Sequence, residues 1–176
     1  MGHCIHTHFE PLNIAILTLS DSRDLQTDTS GRFLVQALQE AGHNLVERKL
    51  CPNDKYQMRA IVSQWIAAAN VQVIITTGGT GFSGRDNTPE ALRPLFDAEI
   101  EGFGELFRHI TYTELGTSTV QSRALAGIAN QTALFCLPGS TGACRTAWNQ
   151  ILKEQLDARH RPCNFVSHLK KVAIDD

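Results

Sequence analysis

Two rhythms of apolar residues alternate along this chain. The first is the short apolar run: Ile14-Ala-Ile-Leu-Thr-Leu19, Val71 to Thr77 and Leu134-Phe-Cys-Leu137, the last stopped by Pro138-Gly139, while the more polar Leu45 to Leu50 reads as a further strand. Runs of this length between polar segments read as strands buried on both faces, as in a parallel sheet. The second rhythm has spacings of three and four. Phe33, Leu34, Ala37, Leu38 and Ala41 share one helical face within Arg32 to Ala41, which stops at Gly42. Met58, Ile61, Val62, Trp65, Ile66 and Ala69 share another, with Asn53 or Asp54 as its cap. A further helix is expected near Gly104–Ile110, and a closing one over about Ala143 to Leu156, carrying Trp148, Ile151 and Leu152 on one face. The stretch from Ala124 to Leu137 also fits a hairpin turning at Asn130-Gln131.

Strands alternating with helices predict an α/β fold: a doubly wound, three-layer α/β/α domain on a mainly parallel sheet, with an antiparallel edge if the hairpin forms. With 176 residues and no repeat or linker, the chain reads as one domain over 12–170, between a tail at 1–11 and another at 171–176. A chain of this length buries about two thirds of its surface on folding.

Composition narrows the function classes. A net charge of -2 argues against a nucleic-acid binder, which would show a basic excess. No apolar run approaches the roughly 18 residues of a membrane span. Met1 to Pro11 holds three histidines and no apolar core of a signal peptide. The five cysteines are odd in number and form no C-x-x-C pair, so the expectation is reduced thiols in a cytoplasmic protein. His3, Cys4, His6 and His8 form either a metal-binding cluster or an unframed chain end.

Candidate chemistry lies in the connections. Four polar or glycine-rich segments follow strands: SDSRDLQTDTSG, CPNDK, GGTGFSGRD and PGSTGACR. In a parallel sheet they emerge at the carboxyl edge, where α/β folds bind ligands. Gly79 to Gly84 spells G-x-G-x-x-G, the dinucleotide fingerprint. That fingerprint needs a helix starting among its glycines, yet here Asp86, Pro89 and Pro94 follow, and an interior proline costs a helix roughly 3 kcal/mol. A Walker loop fails too, because no Gly-Lys-Ser/Thr follows. The glycines therefore form either a tight turn of positive φ or a nest of N–H groups around an anion, to which Thr76, Thr77, Thr80 and Ser83 add hydroxyls.

Asp86 bears on that choice. A carboxylate about 4 Å from a phosphate repels it by roughly 4 kcal/mol at an effective dielectric of 20, so a phosphate here calls for an intervening cation such as Mg²⁺. The competing role is capping a helix that opens at Thr88-Pro89, a role Asn87 and Thr88 also fit. Asp21, Arg23 and Asp28 sit in the first connection as a solvated turn or as ligand contacts. Ser30-Gly31 and Gly139-Ser140-Thr141 place helix starts toward the same edge. Cys144 lies in the last helix's first turn, as an activated thiol or a packed small residue.

TTGGTG with Asp86 and TPEAL, followed by EGFGELFR, TSTVQSRALAG and LPGST, resembles the MoaB and MogA proteins of molybdenum cofactor biosynthesis. The similarity runs from about Ile14 to Leu169, and the ending LDARHRPCNF with SHLKK resembles the MoaB branch. It implies a doubly wound domain that assembles as a homo-oligomer, trimer or hexamer. It also implies molybdopterin and Mg-ATP as ligands, with adenylyl transfer to the pterin's terminal phosphate and release of pyrophosphate. By position, Asp86 matches the catalytic and Mg²⁺-linked aspartate, and Gly78, Gly79, Thr80 and Gly81 match the phosphate-binding turn. Thr18, Ser20 and Asp21 match the first-strand loop, Ser30 and Gly31 the first helix start, and Pro138, Gly139 and Ser140 the turn lining the pterin pocket. One position departs: active members carry an aspartate after the proline of the second loop, where Pro52 is here followed by Asn53. Asp54 is the neighbouring carboxylate for that catalytic role, although one step at a helix start turns a side chain by about 100°. Two other functions stay open on the residues: a binding or carrier protein of the same pathway, and a nucleotide-binding enzyme outside it.

Overall fold

The computed structural model describes residues 8–172. The strands are β1 (Asn13–Leu19), β2 (Asn44–Cys51), β3 (Val73–Thr77), β4 (Ala98–Glu99), β5 (Leu125–Ala129) and β6 (Thr132–Leu137). They form one sheet in the order β2-β1-β3-β6-β5-β4. The first four neighbours pair in parallel, and β5 and β4 continue the sheet antiparallel. The helices are α1 (Thr29–Glu40), α2 (Lys55–Ala67), α3 (Thr88–Leu92), α4 (Glu101–Leu115), α5 (Thr141–Ala147) and α6 (Lys153–Gln155), the last two joined by a π-helical turn at Trp148–Leu152.

The period-two geometry of the strands explains why β1, β3 and β6 are apolar on both faces. Ile14, Ile16, Val73, Ile75, Ala133 and Phe135 meet α1, α4 and α5 on one face. Ala15, Leu17, Ile74, Leu134 and Cys136 meet α2 and α3 on the other. The central strands β1, β3 and β6 thus supply two cores with alternate residues, and the molecule is the expected three-layer α/β/α stack.

The hairpin alternative for Ala124 to Leu137 is the one that forms. Asn130 and Gln131 have φ of 47° and 56°, the two left-handed residues of a turn whose twist matches its strands. The middle helix runs well beyond Gly104–Ile110, because Phe103, Phe107 and Thr111 bury one stripe along its length. At the amino edge of the sheet, His43 is 4% exposed and its Nδ1 accepts the Leu12 N–H at 3.2 Å. Burial pushes its pKa down to about 4, against a pull upward from Asp157.

Of the histidine and cysteine cluster near the amino terminus, His3, Cys4 and His6 lie outside the described residues. Cys51, Cys136 and Cys144 are buried free thiols and Cys163 is an exposed one. No helix among the described residues is long and apolar enough to cross a membrane.

Candidate functional site

The four connections do meet at the carboxyl edge, and named contacts hold them together. Asp21 ties three of them. Its carboxylate accepts the Asn53 backbone N–H at 3.0 Å, the Asn53 side-chain amide at 3.2 Å, and a two-pronged contact from Arg85 at 2.7 and 2.9 Å. Arg85 foremost, then Asn53, hold its pKa well below the usual carboxylate range. The fourth connection joins through backbone. Gly139 approaches so closely that a Cβ there would sit 3.1 Å from the Gly78 Cα, and the Gly78 N–H donates to the Leu137 carbonyl at 3.1 Å.

The first connection ends in a buried anchor. Asp28 is 3% exposed and caps α1, accepting the Gly31 N–H at 2.9 Å, the Thr18 hydroxyl at 2.7 Å and the Arg48 guanidinium at 2.9 Å. Burial raises the pKa of Asp28, but these donors outweigh it and leave the carboxyl below its ordinary value. The solvated-turn reading therefore fails for Asp28, whose charge belongs to the framework. Thr18 and Gly31 serve this anchor, and Ser20 folds its own loop by accepting the Ser22 and Arg23 N–H groups. Ser30 and Thr29 reach across to the fourth connection, with hydroxyl contacts to Thr141 at 3.3 and 2.9 Å.

The glycine loop is a turn and not a helix start. Gly78 and Gly79 have φ of 105° and 63°, where a side chain would be strained. A Cβ on Gly79 would also strike the Thr88 hydroxyl and the Asn53 Oδ1. Asp86 folds back onto the loop: its Oδ2 accepts the Ser83 N–H at 3.1 Å and hydroxyl at 2.6 Å. It does not cap α3. The residue in the cap position is Asn87, which makes no capping bond, and the Thr88 hydroxyl donates to the Gly78 carbonyl at 2.9 Å. Asp54 caps α2, accepting the Tyr56 and Gln57 N–H groups through Oδ1. Of the hydroxyls expected around the turn, Thr80 lines one cavity and Thr77 another, with Thr77 donating to the Pro138 carbonyl at 3.0 Å, whereas Thr76 is buried in the sheet.

Two cavities flank the Pro138–Ser140 turn. One, of about 370 Å³, is lined by Thr18, Ser20, Arg23, Asp28, Ser30 and Ser140 among others. The other, of about 470 Å³, lies between the glycine loop and α4, against Thr80, Gly81, Phe107, Thr111, Ser140 and Thr146. Gly139 and Ser140 line both. Ser140 also caps α5, accepting the Ala143 N–H at 3.1 Å. Cys144 is fully buried behind this turn, and burial pushes its thiol up to about 11, so it is a packed residue and no activated nucleophile.

Sequence reasoning missed Arg123, which lies within the TSTVQSRALAG stretch. Its guanidinium donates to the carbonyls of Thr80, Gly81 and Asp86, pairs with Glu90, and stacks 5.0 Å from the Phe82 ring centre. It missed the α4 wall of the second cavity as well, where only a helix near Gly104–Ile110 was expected and neither Phe107 nor Thr111 was assigned to a site.

Among the described residues no group of three or more His, Cys, Asp or Glu side chains is placed to cage a metal ion. Asp86, bonded to Ser83 through Oδ2, is the carboxylate against the glycine loop that could hold a hard cation, the kind of ion that takes one or two carboxylates together with phosphate oxygens and water.

The fold and this cleft together define an α/β domain with a cleft between loops at the carboxyl edge of its sheet, the place where such folds take their ligands. Residues 15–158 match the family model described as a probable molybdopterin binding domain, and the chain belongs to that family. It is 56% identical over 167 residues, 95% of this chain and 98% of the relative, to the molybdenum cofactor biosynthesis protein B of Escherichia coli K12. A crystal structure of a molybdenum cofactor biosynthesis protein B matches with a TM-score of 0.81 at 40% identity, covering 84% of this chain and 92% of the other. The tungsten cofactor synthesizing protein MoaB from Pyrococcus furiosus matches with a TM-score of 0.74 at 35% identity, covering 82% and 92%.

Proposed function

We propose that this protein acts in molybdenum cofactor biosynthesis by binding molybdopterin and Mg-ATP side by side and adenylylating the pterin's terminal phosphate. The observation that carries the reading is the pair of adjoining cavities with Gly139 and Ser140 in their common wall. Two ligands seated there lie side by side at the Gly139-Ser140 turn, and meeting past its edge would allow transfer between them without a protein nucleophile. A pterin phosphate oxygen forms the new bond to the α-phosphorus of ATP. The bond to the β-phosphate bridging oxygen breaks, and pyrophosphate leaves with that electron pair.

In this reading the chain positions its substrates. The hydroxyls of Ser30 and Thr141 offer donors at the first cavity, and Thr80 offers one at the second. Gly78, Gly79 and Gly81 let backbone approach a phosphate closely. Mg²⁺, when bound, would neutralise and orient the triphosphate, and Asp86 is the residue to hold it. Incubating the protein with molybdopterin, ATP and Mg²⁺ should yield adenylylated pterin and pyrophosphate.

One observation favours a second reading, binding without turnover. The Asn53 amide donates to Asp21, so a neutral group occupies the position where the resemblance calls for a carboxylate. Pterin binding with no product at stoichiometric protein would establish that reading, and absence of pterin binding would overturn both. The exposure of Leu106, Tyr112, Leu115 and Val120 along α4 and the turn after it supports assembly into a trimer or hexamer. Sedimentation as a monomer would count against it.

A further inference from the structure

The Arg123 guanidinium touches both ends of the glycine loop: the carbonyls of Thr80 and Gly81 on one side, at 3.0 and 2.5 Å, and that of Asp86 on the other, at 2.8 Å. Phe82, 69% exposed, lies over its face, and Glu90 pairs with the remaining prong. Arg123 itself is 21% exposed at its side chain, and all three of its nitrogens have protein partners, so it has little left to offer a ligand.

A trans peptide points its carbonyl and the following N–H in opposite directions. Turning the carbonyls of Thr80, Gly81 and Asp86 toward Arg123 therefore turns the N–H groups of Gly81, Phe82 and Asn87 away from it. None of these three N–H groups meets a protein acceptor among the described residues. Thr80 and Gly81 line the 470 Å³ cavity.

We infer that Arg123 is the positioning residue of the phosphate loop: by gathering three carbonyls it fixes the backbone so that the N–H groups of Gly81, Phe82 and Asn87 are left for a ligand phosphate. This rests on the proposed reading of the cleft as a phosphate site. The arrangement uses the planar fork of arginine, because the ammonium of a lysine cannot span carbonyls at both ends of the loop while holding Glu90.

The test uses the full chain, with inorganic pyrophosphate and Mg²⁺ as the probe. The Ser83, Asp86 and Thr88 amides are internally bonded in the loop, so their hydrogen exchange reports its order. R123Q should speed exchange at these three positions at least tenfold, leave the core of the sheet unchanged, and weaken pyrophosphate binding at least tenfold. R123K keeps the charge but loses the fork, and should weaken binding nearly as much. Binding by R123K within threefold of the parent would show that charge alone suffices and overturn the inference, as would unchanged loop exchange in R123Q. If R123Q does not fold, E90Q carries the same readouts, with about a threefold effect expected and none overturning the inference. A parent protein that binds no pyrophosphate would overturn the phosphate reading instead, so the two failures are distinguishable.

Discussion

The two sides of the cleft are held by carboxylates in opposite circumstances. On the α1 side Asp28 is buried, fed by a helix N–H, a hydroxyl and Arg48. On the α3 side Asp21 sits at the surface, bonded to Arg85, whose side chain is 68% exposed, and to Asn53. A buried carboxylate with a full set of donors is part of the framework, since losing one partner strands the others in low dielectric. A surface pair is screened by water and salt, so it guides loops without fixing the fold. One wall of the cleft is permanent and the other adjustable.

The largest way to break this contrast is Asp28→Ala. It strands Arg48 and uncaps α1, and should lower unfolding free energy by about 3 kcal/mol or more in a denaturant titration. A loss below about 1 kcal/mol would mean that Asp28 is no framework group.

Acid titration tests the role of burial itself. His43 has a folded pKa of about 4 against an ordinary 6.5, so the unfolded chain binds the proton more readily. Its contribution is complete above about pH 6.5 and is lost as pH falls toward 4, by about 3 kcal/mol in all. Asp28, whose pKa is lowered on folding, contributes above the ordinary carboxylate value and loses that contribution only as pH falls through its folded pKa. His43→Gln should flatten the upper window and leave the acid limb in place. A slope that persists between pH 6.5 and 4 in that variant would assign the upper window to other groups.

Smaller effects sharpen the comparison. Ser140→Ala removes the α5 cap and should cost about 1 kcal/mol by the same titration. Arg85→Gln should leave the unfolding midpoint unchanged while speeding exchange at Asn53, whose N–H donates to the Asp21 that Arg85 holds. The parent should approach the variant as salt rises from about 0.05 M to about 0.5 M, where screening shortens to a few ångströms. A salt-independent difference would make the surface latch as fixed as the buried anchor.

The fold was legible because its signals are local. Ile14 to Leu19 and Val71 to Thr77 are apolar on both faces, and the spacing through Met58, Val62 and Trp65 marks a helix. The meeting of the four connections followed from parallel topology. What the residues concealed was how charges are shared across long separations. Asp28 looked like a loop residue because its partners Thr18 and Arg48 lie on two different strands. Arg123 left no pattern at all, since an arginine that serves backbone carbonyls 37 to 43 positions away needs no particular side chain opposite it. The capping role for Asp86 was likewise excluded by Ser83, whose hydroxyl draws the carboxylate back before it can reach the α3 terminus.

The contact of Gly139 with Gly78 has a consequence for how the two cavities communicate. Gly139 and Ser140 line both, and Gly139 packs against Gly78. If two ligands bind as proposed, one pressing on that turn from its cavity would alter the surface offered to the other, so their binding constants would be linked. Linkage is reciprocal: whatever factor the first ligand imposes on the second, the second imposes on the first. Either order of addition must close the same thermodynamic box.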